Sequence, residues 1–284
     1  MGKRVAVILS GCGEGDGSDT REAVLALLSL ERAGADVMCF APEEVQAAVH
    51  DHVTGAVDAA APPRAVLAEA ARLAHGRIRP LASLGDGDFD ALVFPGGQGV
   101  GTVLSNYAEK GERCEVHPDV ARLLKSALAK HRTIGLIGLA PILAARVLGP
   151  VAGVHITLGP RGTAPAKHAA VMGADVRPGQ ATDVFVDRKN RVVTTPGYLS
   201  EGIRLTDVAH AVERLVRSVM QLVRGERLAA PGADGKQPGV INAGGPANTR
   251  KEKDVKEAPR EPKPQAPAIL RRPGGAATRG PGSA

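Results

Sequence analysis

The chain has 284 residues, 23% of them charged and 2% aromatic, with a formal net charge of +6. Nearly all of that charge, +5, belongs to the last 54 residues, so the rest is close to neutral and presents no broad phosphate-binding face, which argues against specific nucleic-acid recognition. Three cysteines (Cys12, Cys39 and Cys114) with no C-x-x-C pair argue against a disulfide framework and against a metal centre.

The first unit reads as strand, loop and helix. Residues 4–9 form a continuous apolar run, as a buried parallel strand requires. Ser10-Gly11-Cys12-Gly13-Glu14-Gly15-Asp16-Gly17 follows, and Ser18 or Asp19 is placed to N-cap the next helix, with Glu22 close to the capping-box position. That helix sets Ala23, Leu27, Leu30 and Ala33 on one face and stops at Gly34. A strand over 36–41 completes a βαβ unit. The pattern then predicts a helix over 62–75 and a buried strand over 91–94 that ends in Pro95-Gly96-Gly97-Gln98-Gly99. Next come a helix over 118–130, a strand over 133–137 and, after a sharp turn, a helix over 141–148.

Residues 154–158, 184–186 and 191–195 read as strands, the last two joined by the turn Arg188-Lys189-Asn190. A long amphipathic helix is expected over 201–223. The alternation implies one flavodoxin-like α/β domain over residues 1–230, a doubly wound and mostly parallel sheet with helices on both faces. Residues 231–284 hold nine Pro, nine Gly and no aromatic residue. Such a composition cannot bury enough apolar surface to offset its ordering entropy, so it is expected to be a disordered tail. The apolar run ending at Leu9 is too short for a signal peptide or a membrane span, so the expected location is the cytoplasm, away from any membrane.

In an open parallel sheet, ligands bind where the strands end. Three Gly-rich turns leave strand ends here, at 10–17, at 95–99 and at Gly138. The first does not suit a dinucleotide: its glycines alternate, and the second strand ends Cys39-Phe40-Ala41-Pro42 with no acid at its tip. Gly135-Leu136-Ile137-Gly138-Leu139-Ala140-Pro141 carries the stronger signal. It sets one residue between a buried strand and a helix N-terminus, the layout of a nucleophile elbow. Glycine there supplies no nucleophile.

Val7-Ile8-Leu9-Ser10-Gly11-Cys12-Gly13, Asp16-Gly17-Ser18 and Glu22-Ala23-Val24 occur in order with Phe94-Pro95-Gly96-Gly97, Leu104-Ser105-Asn106-Tyr107-Ala108, Ala140-Pro141 and Val193-Thr194-Thr195-Pro196. Over about residues 4–224 this set resembles the ElbB-type proteins, the isoprenoid-biosynthesis-associated, glyoxalase-like branch of the class I glutamine amidotransferase-like (PfpI) superfamily. The resemblance implies a Cys at the elbow, a nearby Glu that sets its protonation state, and backbone donors for an oxyanion. The Glu carries over to Glu22 and the donors to Gly96, Gly97 and Leu139, but the elbow Cys becomes Gly138. Gln98, Gly15 and Arg21 are further departures near the same place.

Cys12 is the candidate substitute thiol, although relatives carry a Cys there beside their elbow Cys, which favours a structural role. Cys39 reads as a buried strand residue and Cys114, among Glu112, Arg113 and Glu115, as an exposed loop thiol. His155, His168 and His210 read as surface or packing residues, and the loop around Arg161 as a possible lid. Three functions follow. One is a small-molecule-binding or regulatory protein without Cys-dependent catalysis, a pseudoenzyme. The second is a lyase or hydrolase on a 2-oxoaldehyde or related carbonyl compound, working through Glu22 with water or Cys12. The third is an interaction protein recruiting through its tail. No cofactor or metal is implied, and the resemblance leaves room for a homodimer.

Overall fold

The structure is a computed structural model that describes residues 2–46, 48–199, 202–226 and 240–242. β1 (Arg4–Ile8), α1 (Thr20–Arg32) and β2 (Asp36–Ala41) form the expected βαβ unit. A small hairpin, β3 (His50–Asp51) and β4 (Ala56–Val57), precedes α2 (Val66–Leu73), β5 (Ile78–Pro80) and β6 (Ala91–Phe94). Two single-turn helices, α3 (Gly99–Thr102) and α4 (Tyr107–Lys110), lead to α5 (Pro118–Ala129), β7 (Thr133–Ile137) and α6 (Pro141–Ala152). Then come β8 (His155–Ile156), α7 (Ala164–Val171), β9 (Asp175–Val176), β10 (Val184–Asp187), β11 (Val192–Thr195), α8 (Leu205–Arg224) and β12 (Val240–Asn242).

Among the described residues the main sheet has the order β12-β10-β11-β7-β6-β1-β2-β5. Every neighbouring pair is parallel except β10 with β11, the hairpin read from the Arg188-Lys189-Asn190 turn. Helices cover both faces, which is why β6, β7, β10 and β11 are buried at every position rather than alternating. This is the flavodoxin-like α/β fold the periodicities imply. Gly135 shows how closely one cover fits. A Cβ there would come within 3.0 Å of Val219 and 3.2 Å of Leu215, both on α8, so the glycine lets that helix approach β7.

Some boundaries differ from those read in the sequence. α2 starts at Val66 rather than at residue 62, because the chain before it is held extended: Gln46 N–H donates to Arg64 O and Val66 N–H to Glu44 O. α6 runs past residue 148 to Ala152 although Pro150 removes one hydrogen bond from its last turn, and Gly153 at φ 56° ends it. Among the described residues β8 pairs only with β9, outside the main sheet. Within the segment read as a tail, β12 pairs with β10. The remaining residues of 231–284 lie outside those described. No described helix is long and apolar enough to cross a membrane.

Candidate functional site

The carboxyl ends of β1, β6, β7 and β11 meet at one edge of the sheet. There the first loop is zipped to the turn after β6 by backbone bonds from Asp19 N–H to Gly96 O (2.9 Å), Gln98 N–H to Glu14 O (2.8 Å) and Gly99 N–H to Gly17 O (2.9 Å). The contact is tight enough to demand glycine. Gly97 has φ 101°, and a Cβ on it would run into Gly17 O and Asp19 N.

Asp19 caps α1, its carboxylate accepting from Arg21 N–H at 2.8 Å and Glu22 N–H at 3.1 Å. Glu22 does not complete a capping box. Its side chain turns inward, where Oε2 accepts from Gly96 N–H at 2.8 Å and Oε1 from Tyr198 N–H at 3.0 Å. Glu22 is 1% exposed, and its carboxyl group lies among three glycines. A Cβ on Gly96 would stand 2.5 Å from Oε2, and a Cβ on Gly197 would fall on Oε1. Burial, opposed by the Tyr198 and Gly96 N–H groups and by Arg21, and reinforced by the charge on Asp19, raises the pKa from 4.5 to about 7.

The third glycine is the elbow itself. Gly138 follows β7 with φ 60° and donates its N–H to Thr195 O at 3.0 Å. A Cβ there would lie 2.8 Å from Glu22 Oε2 and 3.1 Å from Oε1. The glutamate therefore occupies the room in which an elbow side chain would start. Pro141 opens α6 just beyond, so the positive end of that helix faces the site. The N–H groups of Gly97 and Leu139 donate to no acceptor among the described residues.

Glu22 from α1, Gly96 and Gly97 from the turn after β6, and Gly138 and Leu139 from the turn after β7 thus come together at one edge of the sheet. Cys12 lies on the first loop, half-buried, with its Sγ 4.0 Å from Thr20 Oγ1 and no hydrogen bond to Glu22. Cys39 is buried as expected, which pushes its thiol up to about 11. Cys114 is not the exposed thiol its charged neighbours suggested. It is fully buried, because Glu112, Arg113 and Glu115 point outward while the thiol packs in the core. His168 packs edge-on to Tyr107 and shares a 2.9 Å hydrogen bond with its hydroxyl, and His155 pairs with Asp175.

Two features escaped the sequence reading. Gly197 and Tyr198, the latter 176 residues along the chain, complete the glutamate's cage; the signal was the Val193-Thr194-Thr195-Pro196 block, which delivers them to the same edge. The other is the hairpin region. His50 N–H donates to Asp16 Oδ2 at 2.9 Å and Gln46 Nε2 to Asp16 O at 2.7 Å, so Gln46 and His50 hold the first loop.

At the end of a central parallel strand, then, an elbow turn is met by a buried glutamate from the first helix. No protein-family model matches the chain. It is 40% identical to the rat ES1 protein homolog, mitochondrial, over 224 residues that cover 77% of this chain and 84% of the relative. It is also 40% identical to the human glutamine amidotransferase-like class 1 domain-containing protein 3, mitochondrial, covering 77% and 83%. Among solved structures it is similar to an isoprenoid biosynthesis protein with amidotransferase-like domain from Ehrlichia chaffeensis, at TM-score 0.72 and 28% identity, over 78% of this chain and 99% of that one. The chain belongs to the family of ES1 and glutamine amidotransferase-like class 1 domain-containing protein 3. The cytoplasmic location expected above does not stand against these relatives, whose names place them in mitochondria, as does that of the zebrafish ES1 protein. Compartment is set by an address segment, which the composition of a folded domain does not encode.

Proposed function

We propose that this chain binds a small molecule at the carboxyl edge of its sheet and performs no thiol chemistry there, within an ElbB-type branch of the family. The observation that carries this reading is the Glu22 carboxylate standing 2.8 Å from where a Gly138 Cβ would be. With glycine at the elbow there is no nucleophile to form a thiohemiacetal with a 2-oxoaldehyde. Cys12 offers no replacement, since it meets Thr20 rather than Glu22. What persists is a set of binding features: a helix N-terminus, backbone donors on Gly97 and Leu139, and a buried carboxyl group.

One observation favours a second reading. A carboxyl group raised to about 7 is suited to exchange protons with a carbonyl compound at neutral pH, so Glu22 itself is a candidate general base. Methylglyoxal turnover by the purified chain separates the two. Binding without catalysis gives no turnover above buffer. Turnover that survives alkylation of all three cysteines and vanishes in Glu22→Gln establishes the carboxylate as catalyst. Turnover abolished by alkylating Cys12 contradicts both.

A further inference from the structure

Gly11, Gly13 and Gly15 of the first loop have no part in the glutamate's cage, and they face the hairpin region instead. A Cβ on Gly11 would come within 3.0 Å of Gln46 Nε2, one on Gly13 within 2.7 Å of His52 Nε2, and one on Gly15 within 3.2 Å of the His50 ring. The alternating glycines therefore form a seat for three side chains. Hydrogen bonds on that seat are unevenly shared. His52 lies in the turn after β3, with its ring half-exposed. Its Nδ1 is 3.2 Å from His50 O, and its Nε2 accepts from Gly15 N–H at 3.3 Å. A neutral ring with its proton on Nδ1 satisfies both contacts. Asp16, whose side chain is 1% exposed, accepts from His50 N–H with Oδ2. Its Oδ1 is buried and accepts from no donor among the described residues. That oxygen stands 3.9 Å from His52 Nε2, so two acceptors face each other across Gly13 with no proton between them.

We infer that His52 is a proton-operated latch: a proton on Nε2 moves the ring from Gly15 N–H to Asp16 Oδ1 and ties the hairpin more tightly to the first loop. A protonated Nε2 only donates, so the Gly15 bond is given up and the unpartnered Asp16 oxygen takes its place. Bringing 3.9 Å down to the length of a charge-assisted bond takes a movement of about 1 Å. The exchange favours the charged ring. The bond gained is to a buried carboxylate and roughly twice as strong as a neutral one, while the bond lost is long at 3.3 Å. The other titratable groups around the ring are Glu14 of the first loop and His50 and Asp51 of β3. Glu14 is exposed, the His50 ring lies on Gly15, and Asp51 accepts from Val53 N–H and the Thr54 hydroxyl. Among the described residues none of the three bonds to Nε2. Because the latched form binds the proton, the latch tightens as pH falls and loosens as His52 gives its proton up. The loop it grips is the one zipped to the turn after β6.

Nuclear magnetic resonance of the full chain between about pH 6 and about pH 8, the range over which imidazoles change charge, tests this. The Gly15 amide signal should move with the same midpoint as the His52 ring, since it loses its acceptor when Nε2 is protonated. Protection of the His50 amide from hydrogen exchange, referred to its intrinsic rate, should rise about threefold or more at the lower pH. In Asp16→Asn the new amide donates to Nε2 and holds the ring neutral, so the proton affinity of His52 should fall about tenfold and both effects should vanish. His52→Ala should leave the His50 protection flat with pH. A Gly15 amide that stays still while the His52 ring titrates overturns the latch, as does a flat His50 protection in the wild type, and neither result needs a variant to fold. So does a His52 that titrates alike in Asp16→Asn, or a pH-dependent protection that survives in His52→Ala. None of these outcomes depends on a ligand at the elbow.

Discussion

Two buried carboxylates stand at opposite ends of β7 and are held in different ways. Asp187 ends β10, opposite Val192 of β11, which in turn pairs with Ile134 near the start of β7. It accepts from His155 N–H at 2.9 Å, Asn190 N–H at 3.0 Å and Asn190 Nδ2 at 2.7 Å, so it ties the β10–β11 turn to β8. Glu22 lies past the other end of β7, with two backbone donors and glycines all around. One carboxylate has the donors it needs and serves the fold. The other is short of them, and its ionisation is displaced to neutral pH. Burial alone does not separate the two; the shortage of partners inside a space kept open by glycine does.

The largest effect expected is at the structural end. Asp187→Ala leaves three donors without their acceptor and should cost about 3 kcal/mol or more in urea unfolding. A loss under about 1 kcal/mol would erase the contrast.

At the other end the signature is a pH dependence. In the fold Glu22 ionises near 7, while the unfolded chain ionises near 4.5, so the folded state holds the extra proton between those values. Its contribution to stability is full below 4.5 and lost as pH rises through 7. The loss is of order 3 kcal/mol at most. Unfolding of wild type and Glu22→Gln across that window isolates it, since the glutamine should lack the slope.

Gly138→Ala should cost about 2 kcal/mol, from the positive φ and from pushing the Glu22 carboxylate off its donors. In a Glu22→Ala background the same change should cost only about 1 kcal/mol, because the obstacle is gone. Equal costs in the two backgrounds would show that the carboxylate does not fill the elbow. Gly138→Cys meets the same obstacle, so a thiol restored there alone is not expected to react as an elbow nucleophile does. The smallest effect belongs to Arg21→Ala. Its side chain is 52% exposed, so losing the Tyr198 stack should cost less than about 1 kcal/mol of stability. A large loss would make Arg21 a structural residue.

Much of the sheet was legible because its central strands are uninterrupted apolar runs: the strands over 91–94 and 133–137 fall where the sequence placed them. Glycine and proline blurred the helix ends, as at residue 62 and at Pro150, because their effect depends on what packs beside the turn. Glu22 was legible only through resemblance. By spacing it is a capping-box residue, and nothing local says that its side chain turns inward. The cage residues Gly197 and Tyr198 were not legible, since a bond across 176 residues leaves no periodic trace. Cys114 was misread because charged neighbours mark a loop without saying which way the residue between them faces.

The central claim is that the Glu22 carboxyl group sits in the elbow's space, short of partners, and titrates at neutral pH. A carbon-13 titration of the glutamate carboxyls in the full chain, with Glu22→Gln to assign the signal, tests it most directly. The expected result is one carboxyl with a midpoint near 7 that disappears in the variant. A Glu22 midpoint at the ordinary 4.5 would contradict it, placing the carboxylate in water or against a cation rather than in the glycine cage.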